Sequence, residues 1–489
     1  MATSANTDCV WHPAGGTGRR ATTISLLPDN VLLEIFCFSQ KVPHPYWGWH
    51  VLVHVCRGWR QVVFASPLRL DLRIICTSTT PVRKNLGIWP ALPISVKYHS
   101  YGNKFNKASI EDNVVYALEH TDRVCDVTLN EVTGSDLEKI STVMRAPFPV
   151  LTRLQISSSY DRGIAPALPV EFLGGSAPRL RTIWLSGIPF PALPTLLLTT
   201  NDLVYLYLYN IPRTGYISTE AMVVGLATLP RLRTFGLEFR SATPRPDRIY
   251  PPPATRTVLP ALTEFYFQGA SEYVEDFVAR IDAPQLDKIY ISYLNQLVDF
   301  QVPQLAMFID RSVGPKLSPF RNALVTFRSS QVIFGTHRSS IDSSTDPHYA
   351  RTNVLCHGID WQVSHIAQVV SHFSPTLSNV KHLKLEDERR LQLEGTDDIE
   401  WLHLLHQFPT VRTLHVSRRL AGLVALALED IAFETVADVL PSLNLIYFQG
   451  QPASCIERFV AARQLSGCPV TVIETKKEFY EGVKSYDSE

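Results

Sequence analysis

Residues 260–280 read PALTEFYFQGASEYVEDFVAR, and residues 441–463 read PSLNLIYFQGQPASCIERFVAAR. Each opens on a proline, runs through an alternating apolar stretch into the tetrapeptide YFQG, and then enters a helical pattern with a Phe-Val-Ala run. Alternation of period two puts one side of a strand toward a core. A short strand and a return helix cannot bury that side alone, whereas stacked copies bury a continuous one. The duplicated pattern predicts a repeat fold.

Working outward, the unit apolar-x-x-apolar-x-apolar recurs as PVLTRLQI (149–156), PRLRTIWL (178–185), NDLVYLYL (201–208) and PRLRTFGL (230–237). It continues as PQLDKIYI (284–291), SNVKHLKL (378–385) and PTVRTLHV (409–416). Helical patterns fall between them, such as STEAMVVGLATL, VSHIAQVVSHF and DIEWLHLLHQF. This spacing is that of leucine-rich repeats. The expected fold class is α/β: a small N-terminal helical unit followed by an irregular solenoid of parallel strands and return helices. The boundaries read as a disordered leader over 1–23, a helical unit over 24–75, the solenoid over 76–474 and a polar tail over 475–489. Residues 311–360, rich in Ser, Thr, His and Arg, are the least regular part, an expected long loop or degraded repeat.

In each strand written apolar-x-apolar, the middle residue points away from the core. Those positions are Gln155, Trp184, Tyr207, Gly236, Tyr266, Tyr290, Lys384, His415 and Tyr447. Aromatic side chains in such a row suit a protein interface, combining large area with few rotors and a polar tip. Trp184, Tyr207, Tyr266, Tyr290 and Tyr447 are therefore the expected client-binding residues. A second reading of the same row is that neighbouring rings stack to stabilise the sheet.

The N-terminal unit carries its own pattern. In ISLLPDNVLLEIFCF (24–38), Pro28 suits the start of a helix, and Val31, Leu32, Leu33, Ile35, Phe36 and Phe38 spread over roughly 220° at about 100° per residue. One core needs a stripe of only about 100° or somewhat more, so apolar surface is left over. WHVLVHVCRGWRQVVF (49–64) then reads as one amphipathic helix with Val53 and Phe64 off its apolar arc. LPDNVLLEIF followed by VCRGWRQVV resembles the F-box, and the continuation is similar to fungal F-box proteins in which the box precedes leucine-rich-like repeats. The linker PHPYWGWHVL departs from the short acidic segment usual in that family. The resemblance implies docking on a Skp-type adaptor, and through it a cullin scaffold, by Leu27, Pro28, Leu32, Ile35, Phe36, Leu52, Val55, Cys56 and Trp59. Some of these would build the box's own core. It also implies the substrate receptor of a cullin-RING (SCF-type) ubiquitin ligase; the alternative is a leucine-rich-repeat interaction scaffold with no ligase role.

Among 489 residues, Lys plus Arg and Asp plus Glu number 46 each, a balance that favours neither nucleic acid nor an anionic membrane surface. The cysteines at 9, 37, 56, 76, 125, 356, 455 and 468 form no C-x-x-C pair, as in reduced intracellular proteins of cytoplasm or nucleus. No run approaches the roughly 20 apolar residues of a membrane span. His403 and His406 share a helix face without a third metal ligand, and His365 and His372 read as surface or groove positions. GGTGRR (15–20) lacks the strand and helix of a phosphate loop, and GGSAPRL (174–180) is no nucleophile elbow. No enzyme, metal or cofactor is expected.

Overall fold

The computed structural model describes residues 27–40, 49–67, 69–79, 81–99, 107–159, 165–242, 255–294, 301–313, 320–337, 350–355, 359–373, 377–389, 398–429, 431, 438–450 and 456–475. The expected leader, most of the expected tail and the centre of the 41–48 linker lie outside these residues. The chain divides into two compact units, residues 1–97 with 105–126, and residues 98–104 with 127–489.

The first unit opens on α1 (Asp29–Gln40), with the Pro28 carbonyl accepting from the Val31 and Leu32 amides at 2.9 and 3.1 Å. Leu32, Leu33 and Phe36 turn inward, and the Phe36 ring lies 4.7 Å from that of Trp59. The expected single helix over 49–64 is two, α2 (Trp49–Val55) and α3 (Arg57–Ala65), because Cys56 takes an extended conformation between them. Its sulfur accepts from the Trp59 amide at 3.5 Å, so a cysteine serves as N-cap. The Arg60 Nε donates to the Val53 carbonyl at 2.9 Å and stitches the two helices together. Val53, off the arc of a continuous helix, is fully buried in the broken one. The unit runs on past residue 75 through β1 (Ile74–Thr77), α4 (Val82–Ile88), β2 (Ile94–His99) and α5 (Lys107–Leu118). β1 and β2 pair in parallel, and Asn113 of α5 donates to the Ser78 carbonyl at 3.1 Å, tying these elements into the first unit.

The second unit is a repeat array of strand and return helix, leucine-rich-repeat-like in its parallel pairing. Its strands are β3 (Val124–Val132), β4 (Arg153–Ser158), β5 (Thr182–Ser186), β6 (Tyr205–Ile211), β7 (Thr234–Phe239), β8 (Thr257–Val258), β9 (Glu264–Gly269), β10 (Ile281–Asp282), β11 (Lys288–Tyr293), β12 (Asn322–Arg328), β13 (Gln331–His337), β14 (Ala350–Leu355), β15 (His382–Asp387), β16 (Thr413–Val416), β17 (Leu445–Gln449) and β18 (Thr471–Thr475). Return helices are α6 (Gly134–Val143), α7 (Leu193–Leu197), α8 (Thr219–Leu226), α9 (Ser271–Ala279), α10 (Pro303–Val313), α11 (Ile359–His372), α12 (Asp398–His406), α13 (Ala421–Glu429) and α14 (Glu457–Leu465). Every pairing from β4 to β11 and from β15 to β18 is parallel, including the short β8–β10 pair, which forms its own two-stranded sheet.

Alternation sets the core. Ile183, Leu206, Phe235, Phe265 and Ile289 occupy one register row and are all buried. Phe235 and Phe265 stack at 5.7 Å, and Phe277 of α9 closes on both. Neighbouring repeats are also joined through polar groups: the Glu275 carboxylate of α9 accepts the Gln304 and Leu305 amides at 2.8 and 2.9 Å and caps α10.

Where the sequence suggests a loop or degraded repeat over 311–360, the chain builds β12, β13 and β14. The sheet order there is β11-β14-β13-β12-β15, with β13 antiparallel to both neighbours. β12 skips ahead to pair with β15, and the hairpin fills the gap back toward β11. In the charged stretch from Lys384, Glu386 and Arg389 are buried, and Arg389 pairs with Asp387 at 2.8 Å. His365 is buried beside Trp361 rather than surface-exposed, and burial lowers its pKa. Among the described residues no helix is long and apolar enough to cross a membrane.

Candidate functional site

The middle positions read from sequence fall on one unbroken register row. Gln155, Trp184, Tyr207, Gly236, Tyr266 and Tyr290 are successive partners across β4 to β11. The inserted strands carry the row on through Arg351, Gly335 and Leu324, and Lys384, His415 and Tyr447 complete it to Ile473. All five expected client-binding residues thus stand on the sheet face opposite the buried row, each half-buried.

The rings touch one another. Tyr266 and Tyr290 stack at 4.8 Å with 4° between their planes, and His415 stacks on Tyr447 at 4.6 Å. Tyr207 lies 5.7 Å from Tyr266 although β7 runs between their strands. Gly236 makes that reach available, since a Cβ there would sit 2.4 Å from the Tyr207 ring. Trp184 has no ring partner among the described residues, so the tyrosine stack is a local feature of β6 to β11. Tyr266 donates to Glu264 at 3.2 Å, and Lys288 closes on the same carboxylate at 2.9 Å. Burial pushes the phenols of Tyr207, Tyr266 and Tyr290 upward, so all three are neutral donors at physiological pH.

Beside this stack lies an open cleft of about 180 Å³, whose polar lining is Glu238, Gln268, Ser292, Arg351 and Asn353. All five of these residues escape a reading by middle positions alone. Glu238 sits two residues beyond Gly236 on the same face, where alternation would have found it. Arg351 comes from β14, inside the stretch whose composition suggested a loop. Burial raises the Glu238 carboxyl to about 7, and it has no hydrogen bond or ion pair among the described residues. Arg351 spends its Nε on Asn353 Oδ1 at 3.3 Å, and burial lowers its pKa.

The raised Glu238 pKa has a stability consequence. The folded chain holds this proton between its ordinary pKa of 4.5 and about 7 while the unfolded chain releases it. Stability therefore falls as pH rises through that window, and the whole penalty is present above it. Glu238→Gln is expected to gain about 1–3 kcal/mol at pH 8 and nothing at pH 4, read from urea unfolding at both values. An equal change at the two pH values would contradict the assignment.

In the first unit the positions resembling a box separate by face. Leu32 and Phe36, expected at a docking surface, belong to the unit's own core. Leu27, Leu52, Cys56 and Trp59 are half-buried, with Cys56 acting as cap and Trp59 packed on Phe36, while Pro28 is exposed. On α1, Val31, Ile35 and Phe38 are 38, 42 and 75% exposed, and on α2 Val51 and Val55 are 47 and 48% exposed. The α1 trio is spaced i, i+4, i+7, which places it on one side of the helix. The sequence counted this surplus but not which half faced water; Val31, Phe38 and Val51 were not among the expected docking positions.

Among the described residues no group of three or more His, Cys, Asp or Glu is arranged to hold a metal ion. No known family pattern matches the chain, and no curated protein matches it. Among solved structures, the leucine-rich repeat-containing protein LegL7 from Legionella pneumophila aligns with 81% of this chain and 98% of its own, at 12% identity and a TM-score of 0.25.

Proposed function

We propose that the chain is the substrate-recognition subunit of a cullin-RING (SCF-type) ubiquitin ligase, working in cytoplasm or nucleus. Its F-box-like helices dock on a Skp-type adaptor, which links it to a cullin scaffold, and the aromatic sheet face of the repeat unit holds a client protein. The single observation that carries this reading is the two-faced α1. Leu32, Leu33 and Phe36 supply the unit's core, while Val31, Ile35 and Phe38 form a second apolar stripe in water. Exposed apolar stripes of this kind mark sites where another polypeptide binds. The chain itself makes and breaks no bond; the ligase's conjugating enzyme acts because the client is held near it.

Co-expression with a Skp-type adaptor and co-elution on gel filtration test the reading. Wild type is expected to co-elute, and Ile35→Asp is expected to lose the complex at micromolar concentration. Because Ile35 is already 42% exposed, the thermal midpoint of that variant should stay within about 2 °C of wild type. Failure of the wild-type chain to co-elute overturns the ligase role.

A leucine-rich-repeat-type interaction scaffold without a ligase role is the second reading. Burial of Leu32 and Phe36 favours it, because two of the positions that carry the resemblance are consumed internally. The same co-elution decides between them.

A further inference from the structure

The cleft beside Tyr266 and Tyr290 is electrically polarised. At one end, neither terminal guanidinium nitrogen of Arg351 has a hydrogen bond or ion pair among the described residues, its Nε being the group held by Asn353. Glu388, a carboxylate whose charge reaches Arg351, is engaged by Arg328 at 2.7 Å, and Arg328 itself repels Arg351. At the other end, Glu238 has no hydrogen bond or ion pair among the described residues. These opposite charges do not neutralise each other. β9 and β11 stand between their strands, so Glu238 and Arg351 are three strand spacings apart laterally and one side-chain alternation apart along the strand. At about 4.8 Å per strand and about 3.3 Å per residue, that separation is roughly 16 Å. Half-buried charges without partners cost free energy, and an incoming group of opposite sign recovers it. Between the two ends, the Tyr266–Tyr290 stack offers a flat apolar wall.

We propose that this cleft is a peptide subsite for an extended client segment, with an acidic side chain on Arg351, a basic one on Glu238 about four to five residues away, and an apolar residue between them on the tyrosine stack. It deepens the client-surface reading of this sheet face and is independent of the adaptor. The inserted hairpin then has a binding role, since β14 supplies the cationic end.

Fluorescence anisotropy on the full chain tests it, using labelled nonapeptides Gly-Ser-Glu-Thr-Leu-Thr-Lys-Ser-Gly, a neutral version with Gln at both charged positions, and a dibasic version with Lys at both. Wild type is expected to bind the Glu/Lys peptide at least about tenfold more tightly than the neutral or dibasic one, a difference typical of one or two charge-assisted contacts. Arg351→Gln should erase that preference, and Arg351→Glu should transfer it to the dibasic peptide, a reversal that a merely structural arginine would not produce. Absent binding, equal binding of all three peptides, or loss in Arg351→Gln without reversal in Arg351→Glu overturns the subsite. Adaptor co-elution measured on the same preparations separates the two claims. A chain that keeps the adaptor but ignores the peptides loses only the subsite; one that binds the peptides without the adaptor loses only the ligase role.

Discussion

Phe36→Ala is expected to cost about 3–5 kcal/mol and to unfold the first unit near physiological temperature. The ring is fully buried, and its removal strips the contact face from Trp59 at 4.7 Å. Three short helices have little else to close around the void, and α3 depends for its start on a cysteine cap. The measurement is urea unfolding followed by tryptophan fluorescence, with an early transition expected in the variant and a later one, from the repeat unit, unchanged. The contrast with Ile35→Asp is the informative part: adjacent residues of one helix should divide into one whose loss unfolds the unit and one whose loss removes only a partner. A cost below about 1 kcal/mol at Phe36 would contradict its place in the core.

Arg463→Ala is expected to be as severe, at about 3–5 kcal/mol. Arg463 is fully buried at the end of α14, and its Nη2 donates to the Leu443 carbonyl at 2.9 Å and to the Leu440 and Pro441 carbonyls at 3.5 Å. Those carbonyls belong to the turn that feeds β17, so truncation leaves a cavity and buried acceptors without their donor. Arg463→Met separates the two contributions by restoring volume without donors; a variant that recovers full stability would show that packing alone matters. Denaturant midpoints of the second transition provide the measurement.

The corresponding arginine in the other copy of the pattern shows what sequence can and cannot tell. Arg280 also ends a Phe-Val-Ala helix, yet it pairs with Asp276 and Glu220, each at 2.9 Å, rather than with backbone. The glycines of the two YFQG copies differ in the same way. Gly450 takes a positive φ of 86°, which a side chain would strain, whereas Gly269 is needed because a Cβ would meet the Phe267 and Phe239 rings at 2.9 and 3.0 Å. Repetition announces that units stack; it does not say which contact each residue makes.

The register row was legible because strand alternation is obligatory once one face is buried, and every middle position from Gln155 to Tyr447 obeyed it. The inserted hairpin was not. Ser329 and Ser330 form its two-residue connection, without the Asn-Gly or Gly-led signature that normally marks such turns. Its place in the sheet is set by pairing with β15 and β11, which are distant in sequence. The break at Cys56 was hidden for a similar reason: cysteine is not among the usual capping residues, so the periodicity of 49–64 runs through it unmarked. At α1 the sequence showed too much apolar surface, but the choice between core and water depends on where Trp59 sits.

Three strands with the middle one inverted act as a keystone for the array. They return the chain direction to parallel on the far side, so the repeats from β15 onward continue the polarity of those before β11. Shortening only the stretch from β13 to β14 would leave β11 and β12 about 14 Å apart, each with a bare row of amides and carbonyls. Such unpaired margins invite strands of other molecules. The segment that looks most expendable in composition is therefore the one whose partial removal most readily makes the array prone to aggregate.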